Sequence, residues 1–95
     1  MAVIVIQEFP ATTEQYDQVN EKLGDEVPDG LIAHAGGESG GGKMKTVDIW
    51  ESKEQFESFL NGRLGAAIVE VMGPPPEGAE PPPMEILEAR DLMTG

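Results

Sequence analysis

Four segments of the chain have the short, mostly apolar pattern of β-strands. The first covers residues 2–9, where valine and isoleucine occupy both alternating positions before Pro10. Apolar residues on both parities predict a strand covered on both faces. The other three predicted strands are residues 31–35, 43–50 and 84–92. The glycine-rich residues 36–42 predict a long, flexible tip that joins the second and third strands in a hairpin.

Two further segments have the start signals and apolar spacing of helices. Thr12 and Gln15 have the spacing of a capping box, in which two side chains satisfy the first free amides of a helix. Ser52 and Gln55 repeat that spacing before the second helix. Apolar side chains then recur every three or four residues in both segments. The first predicted helix ends at Gly24; the second is interrupted near residues 61–62 and continues to Gly73.

The predicted order is strand, helix, strand, strand, helix, strand. Two right-handed strand–helix–strand units interlock as a ferredoxin-like βαββαβ fold. The predicted class is therefore α+β, with a four-stranded antiparallel sheet and both helices on one face. Residues 1–95 are predicted to form one domain, with a proline-rich extended loop at 73–83 before the last strand.

The second face of the predicted sheet is the basis for expecting a dimer. The helices cover only one face, yet the strands carry apolar residues on both parities. An apolar sheet face exposed to water is unfavourable, so a partner is expected to cover it. The same face of a second copy is the simplest cover, which predicts a homodimer.

Charge and composition narrow the function classes. The 95 residues carry a formal net charge of -12 and no cysteine. Such a charge repels nucleic acids and anionic membranes, and the lack of cysteine excludes a disulfide framework or a thiolate nucleophile. The first apolar run is too short for a signal peptide or a membrane span. A cytoplasmic location is the expectation.

The segment from the second strand to the second helix resembles a known superfamily. Residues 30–34, the glycine turn, residues 47–52 with their Trp-Glu-Ser sequence, and Phe56 with Phe59 are similar to the dimeric α+β barrel superfamily. The similarity is greatest to its antibiotic-biosynthesis-monooxygenase-like branch, and strand order and length match over nearly the whole chain. The resemblance implies a homodimer, that is, a dimeric α/β barrel, with a small cavity between sheet and helices in each protomer.

Members of this superfamily include cofactor-independent oxygenases, haem-degrading enzymes, isomerases and proteins without known activity. The haem-degrading pattern has a strand-one asparagine, a tryptophan and a helix-two histidine. Here only Trp50 matches, since strand one has Gln7 and Glu8 and helix two has no histidine. The expectation is therefore that no cofactor is used.

Four residues are candidates for chemistry. His34, the only histidine, and Asp48 are expected on one sheet face, where an imidazole beside a carboxylate can act as a general base. Trp50 and Tyr16 are the candidate ligand-binding residues, because large aromatic rings can stack against a planar molecule. The alternatives are a structural histidine and aromatic rings that only pack in the core. A one-residue slip of register would move His34 to the opposite face.

Two other patterns do not predict sites. Residues 37–43 match the first part of a phosphate-binding loop, but Met44 replaces the magnesium-binding hydroxyl and a strand follows instead of a helix. The carboxylates of Glu8, Asp48, Glu51 and Glu88 have no metal-ligand spacing, so no metal is predicted.

Two functions remain open from the sequence. The first is the binding or transformation of a small apolar or aromatic metabolite without a cofactor, as in a monooxygenase or an isomerase. The second is a non-catalytic dimeric accessory or scaffold protein, whose acidic surface and proline-rich loop would contact partners.

Overall fold

A computed structural model describes residues 2–74, 78 and 84–94 of the chain. Four strands and three helical segments follow one another in the predicted order. The strands are β1 (Val3–Pro10), β2 (Leu31–Gly40), β3 (Lys43–Trp50) and β4 (Met84–Glu88). The helices are α1 (Thr13–Leu23), α2 (Lys53–Phe59) and α3 (Gly65–Met72), with a π-helical turn at Leu60–Leu64 between the last two.

The strands form one antiparallel sheet with the spatial order β2-β3-β1-β4. This arrangement is the ferredoxin-like α+β fold, and it confirms the predicted class. The order places β1 and β3 in the centre, and these two strands contain most of the buried positions of the sheet.

The core lies between the sheet and the helices. Val3 and Val5 of β1, Trp50 of β3 and Phe56 of α2 form one buried cluster. The Trp50 and Phe56 side chains are fully buried, and burial of one large apolar side chain contributes roughly 1.5–3 kcal/mol. This cluster fixes α2 over the end of β3, where the candidate site begins.

The capping box predicted at the start of α1 forms, whereas the one predicted at the start of α2 forms only in part. The Thr12 hydroxyl accepts a hydrogen bond from the Gln15 amide, and the Gln15 side chain accepts one from the Thr12 amide. At α2, Ser52 Oγ accepts from the Gln55 amide. The Gln55 side chain, however, accepts from the Ser52 hydroxyl instead of the Ser52 amide, so only half of the predicted capping box forms.

The prediction of a long flexible tip at residues 36–42 is wrong. Strand β2 extends to Gly40, and only Gly41 and Gly42 form the turn into β3. The backbone groups of this glycine-rich stretch pair with β3 as far as Lys43, so ladder hydrogen bonds hold a sequence with little intrinsic strand preference. In addition, β4 is shorter than the predicted 84–92.

The structure tests the remaining predictions only in part. The predicted proline-rich loop at 73–83 lies, apart from residues 73, 74 and 78, outside the described residues. The predicted interruption near residues 61–62 corresponds to the π-helical turn, where Gly62 has non-helical backbone angles. Within the described ranges, no helix is long and apolar enough to cross a membrane.

Candidate functional site

Asp48 is the centre of a group of polar side chains on the helix-facing side of the sheet. It lies in β3 and is buried, with only 7% of its surface exposed. Its Oδ1 is 2.5 Å from His34 Nδ1, and its Oδ2 accepts a hydrogen bond from the Trp50 indole at 3.2 Å. A buried carboxylate is costly unless it is hydrogen-bonded, and here both oxygens have a donor.

A β-bulge in β2 places His34 beside Asp48. Leu31 pairs with Trp50 and His34 pairs with Asp48, with a register shift between Leu31 and Ala33. Strict alternation from Leu31 would put His34 on the opposite face, and the extra residue of the bulge reverses this. His34 and Asp48 therefore share a face, by a route that the sequence pattern did not reveal.

The hydrogen bond to Asp48 determines which nitrogen of His34 is available. An ionised carboxylate can only accept, so Nδ1 carries the proton and Nε2 is the acceptor in the neutral ring. The same hydrogen bond raises the pKa of His34 above its ordinary value, and partial burial opposes the shift. The side chain remains 39% exposed. The His34 ring is thus oriented by Asp48 through Nδ1, and Nε2 is the nitrogen that can accept a proton in the neutral ring.

Tyr16 reaches His34 from α1. Its hydroxyl lies 3.0 Å from His34 Nε2, and its ring stacks against Phe9 of β1 with centroids 6.3 Å apart. Burial raises the pKa of the Tyr16 hydroxyl. A hydrogen bond with the Asn20 side chain opposes this shift, and the negative charge of Asp48 adds to it. Tyr16 is therefore a neutral phenol at physiological pH that donates to the neutral imidazole.

Trp50 contributes its indole N–H to the group while its ring packs in the core. The ring is fully buried, 5.8 Å from the Phe56 ring and 5.5 Å from the Phe59 ring, measured between centroids. The polar contact of this side chain is the hydrogen bond to Asp48. A direct contact between Trp50 and a ligand stays a prediction.

All four predicted site residues meet in this one hydrogen-bonded series: Tyr16, His34, Asp48 and Trp50. Sequence reasoning missed Gly36, which lies on the same face and leaves room for the Tyr16 hydroxyl. The signal was present, because a glycine two residues beyond a candidate base marks a place where another group approaches the backbone.

Two surface depressions lie away from this series. One, of about 490 Å³, is lined by residues of α1 and α3; another, of about 570 Å³, lies beside Pro28 and Arg63. Neither contains His34 or Asp48, and the converging hydrogen bonds identify the candidate site better than concavity does. In the described part of the chain, no three potential ligands from His, Cys, Asp and Glu come together for a metal ion.

Comparison with known proteins supports the fold. No known protein family and no curated protein matches the sequence. A candidate antibiotic biosynthesis monooxygenase from Chloroflexus aurantiacus has a similar structure, with a TM-score of 0.68, 17% identity and coverage of 99% of this chain and 98% of that one. SnoaB, a cofactor-independent oxygenase from Streptomyces nogalater, matches with a TM-score of 0.64 and 11% identity over 96% and 95% of the two chains.

A third similar structure is that of a mutant of MhuD with two manganese protoporphyrin IX molecules bound per active site. Its TM-score is 0.62, with 17% identity over the full length of both chains. At these identities the likeness is one of fold. The chain has the ferredoxin-like fold of the antibiotic-biosynthesis-monooxygenase-like proteins, which confirms the predicted resemblance at that level.

Proposed function

We propose that this protein binds and transforms a small apolar or aromatic metabolite without a cofactor, with His34 as the general base. The observation that carries the proposal is the series of hydrogen bonds from Trp50 through Asp48 to His34. It fixes the tautomer and orientation of the only histidine in the chain. A base held in this way, with part of its ring exposed, is suited to accept a proton from a bound molecule.

The proposed first step is proton transfer from an acidic O–H or C–H group of the substrate to Nε2. The imidazolium that forms is stabilised by the Asp48 carboxylate, 2.5 Å from Nδ1. If the proton returns to a different atom of the substrate anion, the outcome is an isomerisation.

If dioxygen reacts with the anion, a CH2 group becomes a carbonyl. One oxygen atom enters the product, and the other leaves as water with the two hydrogens. The substrate supplies the electrons for this reduction of dioxygen, so the chain needs no redox group of its own.

We further propose that the protein acts as a homodimer in the cytoplasm, with the outer faces of two sheets in contact. Ile4 pairs with Ile49, and Ile6 pairs with Val47, so these apolar side chains lie together on the face away from the helices. Val47 is 42% exposed and Leu87 is 45% exposed in the single chain. A second copy would bury this face.

The test uses 1-naphthol as the aromatic probe. His34→Gln keeps a polar side chain but removes the base, and we expect it to weaken 1-naphthol binding by roughly tenfold, the loss of about one hydrogen bond. Lys22→Gln, on an exposed part of α1, is the control and should bind 1-naphthol as the wild type does. Oxygen consumption with 1-naphthol and related phenols tests the oxygenase reaction separately.

The second candidate function is the non-catalytic dimeric accessory protein. It is favoured by the fact that protein groups already engage both nitrogens of His34, as in a structural histidine. Equal 1-naphthol affinity in the wild type and in His34→Gln would favour this function over the first. Tight stoichiometric binding of a porphyrin would contradict the cofactor-free proposal.

A further inference from the structure

Tyr16 occupies the position at His34 that a substrate proton would take. The proposed base is Nε2, because Nδ1 is directed to Asp48. The Tyr16 hydroxyl lies 3.0 Å from that same nitrogen. In this conformation a ligand hydroxyl can reach Nε2 only after the phenol moves away.

Gly36 provides the space that the phenol occupies. A Cβ atom built at Gly36 would overlap the Tyr16 hydroxyl oxygen and lie 2.7 Å from Cζ, well inside the limit for non-bonded atoms. The backbone of Gly36 does not have a positive φ angle, so its conformation does not require glycine. The requirement comes from the close approach of the phenol, which means that this glycine is matched to Tyr16.

A comparison with the neighbouring glycine shows that the close approach of the Tyr16 hydroxyl is specific to Gly36. Gly37 lies in the same strand, also without a positive φ angle, and a Cβ built there meets no atom within 4 Å. Neither glycine is therefore required by a positive φ angle, and the two have opposite surroundings. They form a matched pair for experiment.

We propose that Tyr16 is a displaceable internal ligand of His34, and that Gly36 and Tyr16 together determine which molecules reach the base. This inference rests on the proposed role of His34. A ligand that displaces the phenol must replace the hydrogen bond that Nε2 loses. A hydroxyl-bearing ligand can do so and a pure hydrocarbon cannot, since an unpartnered polar group opposes binding.

The Phe9 ring supports this role for Tyr16. It stacks on the Tyr16 ring from β1 and so restrains the side chain from one side. Tyr16 is only partly buried. A side chain that is only partly buried can be moved at lower cost than Trp50, which is fully buried among aromatic rings.

The first experiment needs no ligand. The imidazole nitrogen signals of the single histidine are recorded by NMR for the wild type and for Tyr16→Phe, Gly36→Ala and Gly37→Ala. We expect Tyr16→Phe and Gly36→Ala to shift the Nε2 signal in the same direction, because both remove the phenol from it. Gly37→Ala should leave the signal unchanged.

The second experiment compares 1-naphthol with naphthalene, which lacks the hydroxyl. Loss of the competing hydrogen bond should tighten 1-naphthol binding by about two- to twelvefold in Tyr16→Phe and Gly36→Ala, the range that corresponds to one net hydrogen bond. Naphthalene should bind more weakly than 1-naphthol to every variant that retains His34. Should Gly36→Ala not fold, Tyr16→Phe carries the same test.

The outcomes separate this inference from the proposed function. Displacement is overturned if the Nε2 signal is unchanged in Tyr16→Phe. It is also overturned if that variant binds 1-naphthol more weakly, because weaker binding would mean that Tyr16 itself contacts the ligand. The role of His34 still stands in either case if His34→Gln weakens binding. Conversely, if neither the wild type nor Tyr16→Phe binds 1-naphthol, displacement by a hydroxyl-bearing ligand is overturned, and the Nε2 signals then report only on the match between Gly36 and the phenol.

Discussion

At the scale of single residues, Asp48 connects the core to the candidate site. One oxygen accepts from the buried Trp50 indole and the other contacts the partly exposed His34 ring. Among the described residues, no buried side-chain nitrogen or oxygen lacks a hydrogen-bond partner. His34 is therefore held by a carboxylate whose own position is set by the core, and this preorganisation supports its proposed role as the base.

The His34–Asp48 contact predicts how stability depends on pH. The hydrogen bond to Asp48 raises the pKa of His34 in the folded state, so the protonated form stabilises the fold. This contribution is fully present below the ordinary histidine pKa of about 6.5 and is lost as the pH rises through the raised folded-state pKa. We expect the free energy of unfolding, measured with urea, to decrease across that window.

Two variants isolate this effect. His34→Gln removes the titrating group and Asp48→Asn removes its partner, so the decrease in stability above a pH of about 6.5 should disappear in the first and shrink in the second. A wild-type profile that parallels that of His34→Gln would show that the contact does not stabilise the protonated ring.

At the scale of elements, α1 depends on its first turn to present Tyr16 to the sheet. The capping box joins Thr12 and Gln15 immediately before Tyr16, and the Tyr16 amide donates to the Thr12 carbonyl. A helix of 11 residues is short, so the capping hydrogen bonds at its ends contribute a large share of its stability. The cap therefore affects both the fold and the position of the phenol.

Thr12→Ala should lower the free energy of unfolding by about 1 kcal/mol, because the amide of Gln15 loses its acceptor. Thr13→Ala is the matched control, since the Thr13 hydroxyl donates only to the exposed Glu38 carboxylate. Its effect should stay within about 0.5 kcal/mol. Urea unfolding measures both, and equal losses in the two variants would contradict the role assigned to the cap.

At the scale of the whole molecule, the outer face of the sheet is an apolar surface that no described residue covers. Central strand residues Ile4, Ile6 and Ile49 are half-buried there, and Val47 is more exposed. A contiguous apolar face of this kind favours association, which supports the proposed dimer. The high negative charge keeps copies of the chain apart elsewhere, so association is expected to concentrate on this face.

The proposed dimer predicts a sedimenting mass of twice the 10.2 kDa of one chain. Val47→Glu places a charge in the proposed interface and should convert the protein to monomers at micromolar concentration. Val69→Glu is the matched control, because Val69 is a similarly exposed valine on α3 (46% against 42%) and lies outside the sheet. A wild-type protein that sediments as a monomer would overturn the dimer proposal.

Features that depend on neighbouring residues could be predicted from the sequence. Period-two and helical spacing indicate the order of elements, and Thr12 and Gln15 predict the start of α1. These signals are local, since backbone hydrogen bonding and capping involve residues only a few positions apart. The four candidate residues could also be chosen in advance from the chemistry of their side chains, and the structure brings them into one hydrogen-bonded series.

How those residues meet depends on the folded chain. The bulge after Leu31 reverses the alternation that places His34, and pairing with β3 extends β2 through a glycine-rich stretch predicted to be flexible. The match between Gly36 and Tyr16 joins a strand to a helix that lies earlier in the chain. Such features arise from contacts between distant segments. A glycine in a strand can indicate that some group approaches the backbone there, but the local pattern specifies neither the register nor which group approaches.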